Sequence, residues 1–596
     1  MSHSEVWSPT ARASKRDDGS ILIESLEPLD AYPARLADPM LAHAEADPGR
    51  IAFADRKGAP ASWRALTYGE LRDRTARLGQ AYLDAGLGPD RPLLLITENR
   101  IEAAVATFAA YRAGVPVAPI TPAYSTGRGD MDRLTSILTT LRPGLVMVND
   151  AAIHAANLAK AAPDLPIVSF LDGGNAQGFG ALLETRPGEA FRRAAAAVGS
   201  DTVAKILFTS GSTGTPKGAI NTHRMLASNV AAIRQGWRFL HEEPPVLVDW
   251  LPWNHTFGGN FVMNQVITSG GTLYIDDGAP SPEGMIRSIA NAAEIRPTLH
   301  VNVPRGLDLA ARVLADAPDK AEAFFDRLRI VFFASAGLPE RIRGTWLELI
   351  RRFARRPVRF CSAWGATEIA PLATMLNFEA AQINNIGVPI PGTEIKLAPL
   401  DGRMELRVRG PNVTPGYLNR PDLTAHAFDD EGFWRSGDAG ALADPDDAQA
   451  GILIEGRLAE DFKLASGIWV NVSGLRAQLL EGFGSVVRDI VISGPERGEL
   501  GALIFLDVEQ CARRFGLAPD LARLIEAEEV HRHLTTAIEV HNATNSGNSR
   551  RIECYRILAR APDPAAGELT EKGTVNQAAV RRQEVALCEV MHGARE

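Results

Sequence analysis

The stretch Leu207-Phe208-Thr209-Ser210-Gly211-Ser212-Thr213-Gly214-Thr215-Pro216-Lys217-Gly218 joins an apolar run to a turn of glycines and hydroxyls closed by a lysine. Gly211, Gly214 and Gly218 let the backbone bend and approach an anion closely. Ser210, Ser212, Thr213 and Thr215 supply hydroxyl donors, and Lys217 supplies charge. The spacing is not that of the nucleotide loop GxxxxGK[ST]. Pro216 stands where the second glycine belongs, and Gly218 stands where Ser or Thr belongs. A hydroxyl-rich linker is the bland alternative, but linkers do not follow a buried strand and end in Pro-Lys-Gly.

Outward from this turn the chain alternates strands and helices. Tyr68 to Ala85 has helical apolar spacing at Leu71, Leu78 and Tyr82, with Gly86 as a stop, and Leu93 to Ile96 reads as a strand covered on both faces. Ile101 to Ala113 reads as a helix ended by Gly114. Val115 to Ile120 reads as extended, with Pro116 and Pro119 arguing for a sheet edge or a loop. Apolar strands recur at Ile206 to Phe208, Val246 to Trp250, Thr272 to Ile275 and Ile330 to Phe333, so a largely parallel sheet is expected. From about 385 short strands and turns take over, as in a β-meander. After Arg457 come strands at Ile490 to Ser493 and Ala502 to Asp507 and a helix near 519–541. The expected architecture is α/β. Residues 1–25 form a loose arm, 26–456 a large domain with a β-rich part, and 457–596 a small mobile α+β domain.

Composition narrows the class. Of 596 residues, 45% are hydrophobic and 23% charged, which is globular. A net charge of −9 disfavours nucleic-acid binding, and the one dense basic run, Arg351, Arg352, Arg355 and Arg356, reads as a solvated helix face. Four scattered cysteines without CxxC suggest neither a zinc site nor a disulfide framework. With no signal-peptide core and no membrane-length apolar run, a cytoplasmic protein without membrane partners, monomeric or homodimeric, is expected.

Five further segments carry chemistry. Residues 249–260, Asp-Trp-Leu-Pro-Trp-Asn-His-Thr-Phe-Gly-Gly-Asn, put Trp253, His255 and Phe257 before a Gly-Gly step, a composition that lines flat pockets. Phe333-Ala-Ser-Ala-Gly337 ends a strand in small residues that leave room for a ligand. Trp364-Gly-Ala-Thr-Glu368 offers a ring for stacking, a hydroxyl for phosphate and a carboxylate suited to Mg²⁺. Glu431-Gly-Phe-Trp-Arg-Ser-Gly-Asp-Ala-Gly440 presents Asp438, which can accept both ribose hydroxyl protons. Near the C-terminus, Gly567-Glu-Leu-Thr-Glu-Lys-Gly-Thr-Val-Asn-Gln577 sets Lys572 between a turn and a helix.

Together with Gly456-Arg-Leu-Ala-Glu-Asp-Phe-Lys-Leu-Ala-Ser-Gly467, these segments resemble, in order, the motifs of the acyl-adenylate-forming superfamily. That family includes acyl-CoA synthetases, luciferases and peptide-synthetase adenylation domains. The resemblance implies an acid–thiol ligase using ATP, Mg²⁺ and coenzyme A on a small carboxylic acid. It assigns Thr209 to Thr215 and Lys217 to the phosphates, and Ser335, Ala336, Gly337, Trp364, Gly365, Thr367, Asp438 and Arg457 to the nucleotide. Glu368 with Thr213 would hold the metal. Trp253, His255, Phe257, Gly337 and Ala366 would border the acyl group, and Lys463, Ser466 and Gly467 would meet coenzyme A. The implied catalytic set is Lys572, Lys217, Glu368, Thr367 and His255.

The Gly456–Gly467 segment resembles the family's hinge motif, which opens its C-terminal domain; many members carry Asp two residues after its arginine, here Arg457, where this chain has Ala459. The 249–260 segment, the stretch at 270–278, Asn302-Val-Pro and Glu460-Asp-Phe-Lys look like the feruloyl-CoA synthetases, which activate hydroxycinnamates. The segment after Asn260 and the Trp-Gly-Ala-Thr-Glu variant depart from that subfamily. A ligase that loads a carrier-protein thiol, or one that acts on fatty acids, is the alternative.

Overall fold

The computed structural model describes every residue except 1–5, 58–61, 127–130, 172–175, 211–215, 564–565, 570–574 and 594–596, and not the side chain of Ser210. A seven-stranded sheet carries the first helix layers. Its order is Pro216–Thr222, Val203–Ser210, Val117–Ile120, Leu93–Ile96, Leu145–Val148, Ile167–Ser169 and Gln177–Gly178. Every strand pair is parallel except the Val203–Ser210/Pro216–Thr222 hairpin. Leu93–Ile96 and Leu145–Val148 are buried at every position, as strands covered on both faces must be.

The helix Tyr68–Asp84 starts on a capping box between Thr67 and Glu70. The helix Ile101–Ala113 ends on Gly114 at φ +69°, a left-handed cap that glycine adopts without strain. Val117–Ile120 is an interior strand, not the edge or loop that its prolines suggested. The neighbouring strand Val203–Ser210 registers with it only at Lys205↔Val117, while Pro119 pairs with Leu95 on the other side. The N–H that proline lacks is thus not required by a long ladder.

A second sheet joins Val246–Asp249, Thr272–Ile275, Ile51–Asp55 and Arg64–Thr67, and a parallel three-stranded one joins Leu299–Asn302, Ile330–Phe333 and Arg359–Ser362. A six-stranded antiparallel sheet forms the β-rich part, in the order Ala11–Lys15, Ile21–Ser25, Glu394–Leu400, Arg403–Arg409, Trp434–Leu442, Ile452–Arg457. Its first two strands correct the expected loose arm over 1–25. Ile23 is fully buried against the β-rich core, and Ile21 to Glu24 pair with Leu397 to Glu394. The run Ile21-Leu22-Ile23 is apolar at three successive positions and then turns polar, so it carries no period-2 alternation that would mark a strand. Arg351, Arg352, Arg355 and Arg356 are exposed, as expected.

After Arg457 the chain folds around Val487–Ser493, Leu500–Leu506 and Ile552–Ile557 with helices that include Val472–Phe483 and Glu528–Thr544. Two apolar clusters there draw only on residues from 462 onward. Polar contacts fasten this part to the rest. Asp461 pairs with Arg403 and accepts from Val472 N–H, and Arg305 lies 3.6 Å from Asp507. Among the described residues, no helix is long and apolar enough to cross a membrane.

Candidate active site

The hairpin of Val203–Ser210 and Pro216–Thr222 sets both ends of the glycine-rich turn, with Thr209 registered against Lys217 and Ser210 against Pro216. Gly211, Ser212, Thr213, Gly214 and Thr215 themselves lie outside the described residues, as does Lys572. Thr209 Oγ1 is buried and has no hydrogen-bond partner among the described residues.

At the foot of the hairpin, three side chains from distant segments converge. Lys217 Nζ donates to Tyr417 Oη at 2.6 Å, and Tyr417 donates to Glu368 Oε1 at 2.9 Å. Lys217 Nζ itself lies 3.4 Å from Glu368 Oε1 and 4.2 Å from the Tyr417 ring centroid. Burial and the Glu368 charge push the Tyr417 phenol far above its ordinary value, so it stays a neutral donor to the carboxylate. Glu368 is buried, and its carbonyl accepts from Thr414 N–H. The sequence reading placed Lys217 and Glu368 but missed Tyr417. Its signal was the turn Pro415-Gly416-Tyr417, where Gly416 sits at φ +141° with Thr424 Cγ2 only 2.4 Å from where a Cβ would go.

A second convergence lies at the β-rich sheet. Trp364 Nε1 donates to Asp438 Oδ2 at 2.9 Å, and Arg457 Nε lies 2.8 Å from Asp438 Oδ1. Asp438 and Arg457 are register partners on adjacent strands, and Ser436 Oγ accepts from Asp438 N–H. One buried carboxylate is thus held by a ring N–H and a guanidinium. Gly365 is obligatory between these groups, because a Cβ there would fall 1.8 Å from Pro371 O. Ala366 and Thr367 are half-buried beside it.

Thr367 connects to the 249–260 segment. Asn221 Nδ2 donates to Thr367 O at 3.3 Å, and Asn260 Nδ2 donates to Asn221 Oδ1 at 2.7 Å and to Thr256 Oγ1 at 3.1 Å. Phe257–Val262 is a π-helical turn, a rare form that is frequent at functional sites. His255 is half-buried just before it. Trp253 and Phe257 are buried to different sides: Trp253 packs on Phe53 at 6.0 Å, and Phe257 packs on Phe261 at 5.5 Å and Phe332 at 6.0 Å. Three residues beyond Phe332, the turn Ser335, Ala336 and Gly337 is exposed, and Ser335 holds φ +83°, a strained conformation for a non-glycine residue.

Lys463 begins a short hairpin whose exposed tip holds Ser466 and Gly467 at φ +80°, and its ammonium lies 4.9 Å from the Trp469 ring. The segment of Lys572 has its stem described: Leu569 bridges Val575, and Arg560 grips the buried Glu568. A Cβ at Gly567 would lie 4.0 Å from Arg133 Nη2, so this stem approaches the helix Met131–Leu141 of the large part.

The residues that could take a metal fit Mg²⁺. Glu368 is a hard carboxylate beside a phosphate-type turn, and Mg²⁺ takes one or two carboxylates together with phosphate oxygens. The geometric cluster of mixed ligands among the described residues lies elsewhere, at Glu499, Cys554 and His592.

Residues 41–418 match the model of the AMP-binding enzyme family. The chain belongs to that family. Curated relatives of this AMP-binding enzyme include the 4-hydroxybenzoate–CoA/benzoate–CoA ligase of Rhodopseudomonas palustris, 28% identical over 72% of this chain and 75% of that protein. A feruloyl-CoA synthase of Amycolatopsis sp is 27% identical over 63% of this chain and 71% of the relative. The probable nonribosomal peptide synthetase CymA of Salinispora arenicola matches 77% of this chain at 27% identity, but the match spans only 6% of that much longer protein. Among solved structures, the anthranilate CoA ligase AuaEII with anthranoyl-AMP superposes with TM-score 0.72 over 94% of this chain and 99% of its own, at 17% identity. ATP-bound MatB from Rhodopseudomonas palustris gives 0.67 over 93% and 99%, at 21% identity. These confirm the expected α/β architecture with its small C-terminal part.

Proposed function

We propose that this AMP-binding enzyme activates a carboxylic acid with ATP and transfers the acyl group to the thiol of coenzyme A. The observation that carries this reading is the Lys217–Tyr417–Glu368 cluster at the foot of the phosphate turn. A cation and a metal-binding carboxylate are held ready there without reorganisation, which is what phosphorus chemistry asks of a protein.

In the first step a carboxylate oxygen of the acid attacks the α-phosphorus, the bond to the β-phosphate oxygen breaks, and pyrophosphate leaves. Lys217 and Lys572 offset the negative charge that builds there. Glu368, with Thr213, would hold Mg²⁺, which supplies charge neutralisation for the phosphates when bound. Asp438, fixed by Trp364 and Arg457, receives the ribose hydroxyls. In the second step the thiol sulfur attacks the acyl carbon, and AMP leaves with the oxygen that came from the acid. We read residues 26–456 as the adenylating domain and 457–596 as a small domain that turns between the steps. That turn replaces Lys572 with the Lys463–Gly467 hairpin at the active site. Its motivation is that one small unit carries two motifs with different tasks.

The acid we propose is planar and aromatic, a hydroxycinnamate such as ferulate. The aromatic composition of the 249–260 segment and the acids named for the benzoate and feruloyl relatives support this class. The test is pyrophosphate release with ferulate, coumarate, benzoate, octanoate and palmitate, with and without coenzyme A. Release with aromatic acids that rises with coenzyme A is expected. Release with fatty acids alone would overturn the acid class. Release that only a carrier-protein thiol accelerates would replace coenzyme A as acceptor.

A further inference from the structure

The strand Val203–Ser210, which leads into the phosphate turn, carries a lysine that none of the motifs uses. Lys205 is 1% exposed, and among the described residues no carboxylate lies within ion-pair distance of it. Its one side-chain hydrogen bond among the described residues runs from Nζ to Gly259 O at 3.3 Å, and the Tyr111 ring lies 5.9 Å away. Beside it lies a small pocket of ≈ 10 Å³ lined by Lys205, Thr107, Trp253, Asn254 and Met263, with the exposed Glu98 at its rim, about the room of one water.

The acceptor explains the lysine. Gly259 lies inside the π-helical turn Phe257–Val262, where Met263 N–H reaches back five residues to Gly258 O. In an α-helix that N–H would have served Gly259 O. The wider turn therefore frees this carbonyl, and Lys205 caps it. Gly258 and Gly259 lie directly on the 251–253 backbone: a Cβ would meet Leu251 O at 2.4 Å from Gly258 and Trp253 O at 2.3 Å from Gly259. Any displacement of the turn is therefore passed to Trp253 and His255. The next residue, Asn260, is tied through Asn221 to Thr367.

We infer that Lys205 is a positioning residue that locks the π-turn and thereby sets which acids the Trp253–Asn260 wall accepts. This rests on the adenylation reading for its selectivity, though not for the lock. A buried ammonium with one carbonyl partner costs stability relative to an apolar side chain of similar length. A purely structural role would be met better by methionine, so what the lysine adds is a defined turn geometry.

The test compares wild type with Lys205→Met and Lys205→Gln, the latter keeping an N–H donor without charge. Three quantities are read: amide hydrogen exchange over 257–268, melting temperature, and steady-state constants for ferulate, benzoate and ATP. For Lys205→Met the lock requires faster exchange over 257–268 with an undiminished melting temperature. It also requires a roughly tenfold higher KM for the acid, the scale of one lost hydrogen bond, a changed ferulate-to-benzoate ratio in kcat/KM and an unchanged KM for ATP. Lys205→Gln should recover part of each effect. Unchanged exchange over 257–268 overturns the lock. A lowered melting temperature with all three substrates weakened alike reduces Lys205 to a structural residue. A wild type silent on every acid would count against the proposed function, while the exchange comparison still decides the lock.

Discussion

The side of this site proposed for the nucleotide and the side proposed for the acid hold their buried polar groups differently. On the side proposed for the nucleotide both buried carboxylates are held, Glu368 by Tyr417 and Lys217 and Asp438 by Trp364 and Arg457, while Thr209 Oγ1 has no partner among the described residues. On the side proposed for the acid, Lys205 Nζ faces a single carbonyl, and Asn260 Oδ1 has no partner among the described residues. A closed network fixes one geometry, suited to a ligand that does not change. An open one keeps polar groups whose cost is retained in the folded state. That division matches a family in which the nucleotide is constant and the acid varies.

Substitutions can break this contrast, beginning with the largest effect. Lys572→Ala should lower adenylation about 10²–10³-fold, the scale of removing one charge-stabilising donor. Thioester formation from supplied acyl-AMP should survive, and equal loss in both half-reactions would remove the two-step domain scheme. Asp438→Asn should raise KM for ATP roughly 10–100-fold, because two charge-assisted contacts weaken, with KM for the acid little changed in the same titrations. Tyr417→Phe should cost roughly tenfold in kcat/KM for adenylation, as one hydrogen bond to a carboxylate is lost. A melting temperature that falls steeply instead would make the tyrosine a core residue first.

The smallest effect sharpens the acyl side. Burial lowers the Lys205 pKa from the ordinary 10.5 to about 7. Between those values the unfolded chain binds more protons than the folded one, so this group makes stability rise with pH across that window. Tyr111, and Glu98 at the cavity wall, are the other titratable groups facing it, and Glu98 is already paired with Lys57 at 2.9 Å. Lys205→Met should flatten part of that rise. Denaturant midpoints of both proteins at pH 7 and pH 10 measure the difference.

What could be read without coordinates follows the same division. Strand and helix positions around the phosphate turn were legible because buried parallel strands leave continuous apolar runs and their helices end on glycines such as Gly114. Lys217, Glu368, Asp438 and Arg457 were singled out by their motif spacing, and the structure brings them together in two pairs. Tyr417 and Lys205 were not, since each acts through a contact far along the chain: 49 residues separate Tyr417 from Glu368 and 54 separate Lys205 from Gly259. The strand Ile21–Ser25 was hidden by its shortness, because its partner Glu394–Leu400 lies hundreds of residues away. Pro119 misled because a proline rule for ladders depends on how long the neighbouring strand stays paired.

The central claim is that the acid attacks the α-phosphorus of ATP. Ferulate labelled with oxygen-18 in its carboxylate, turned over with Mg-ATP and coenzyme A, tests it directly by mass spectrometry of the nucleotide product. The account predicts one labelled oxygen in AMP and none in pyrophosphate; label in inorganic phosphate alongside ADP would contradict it.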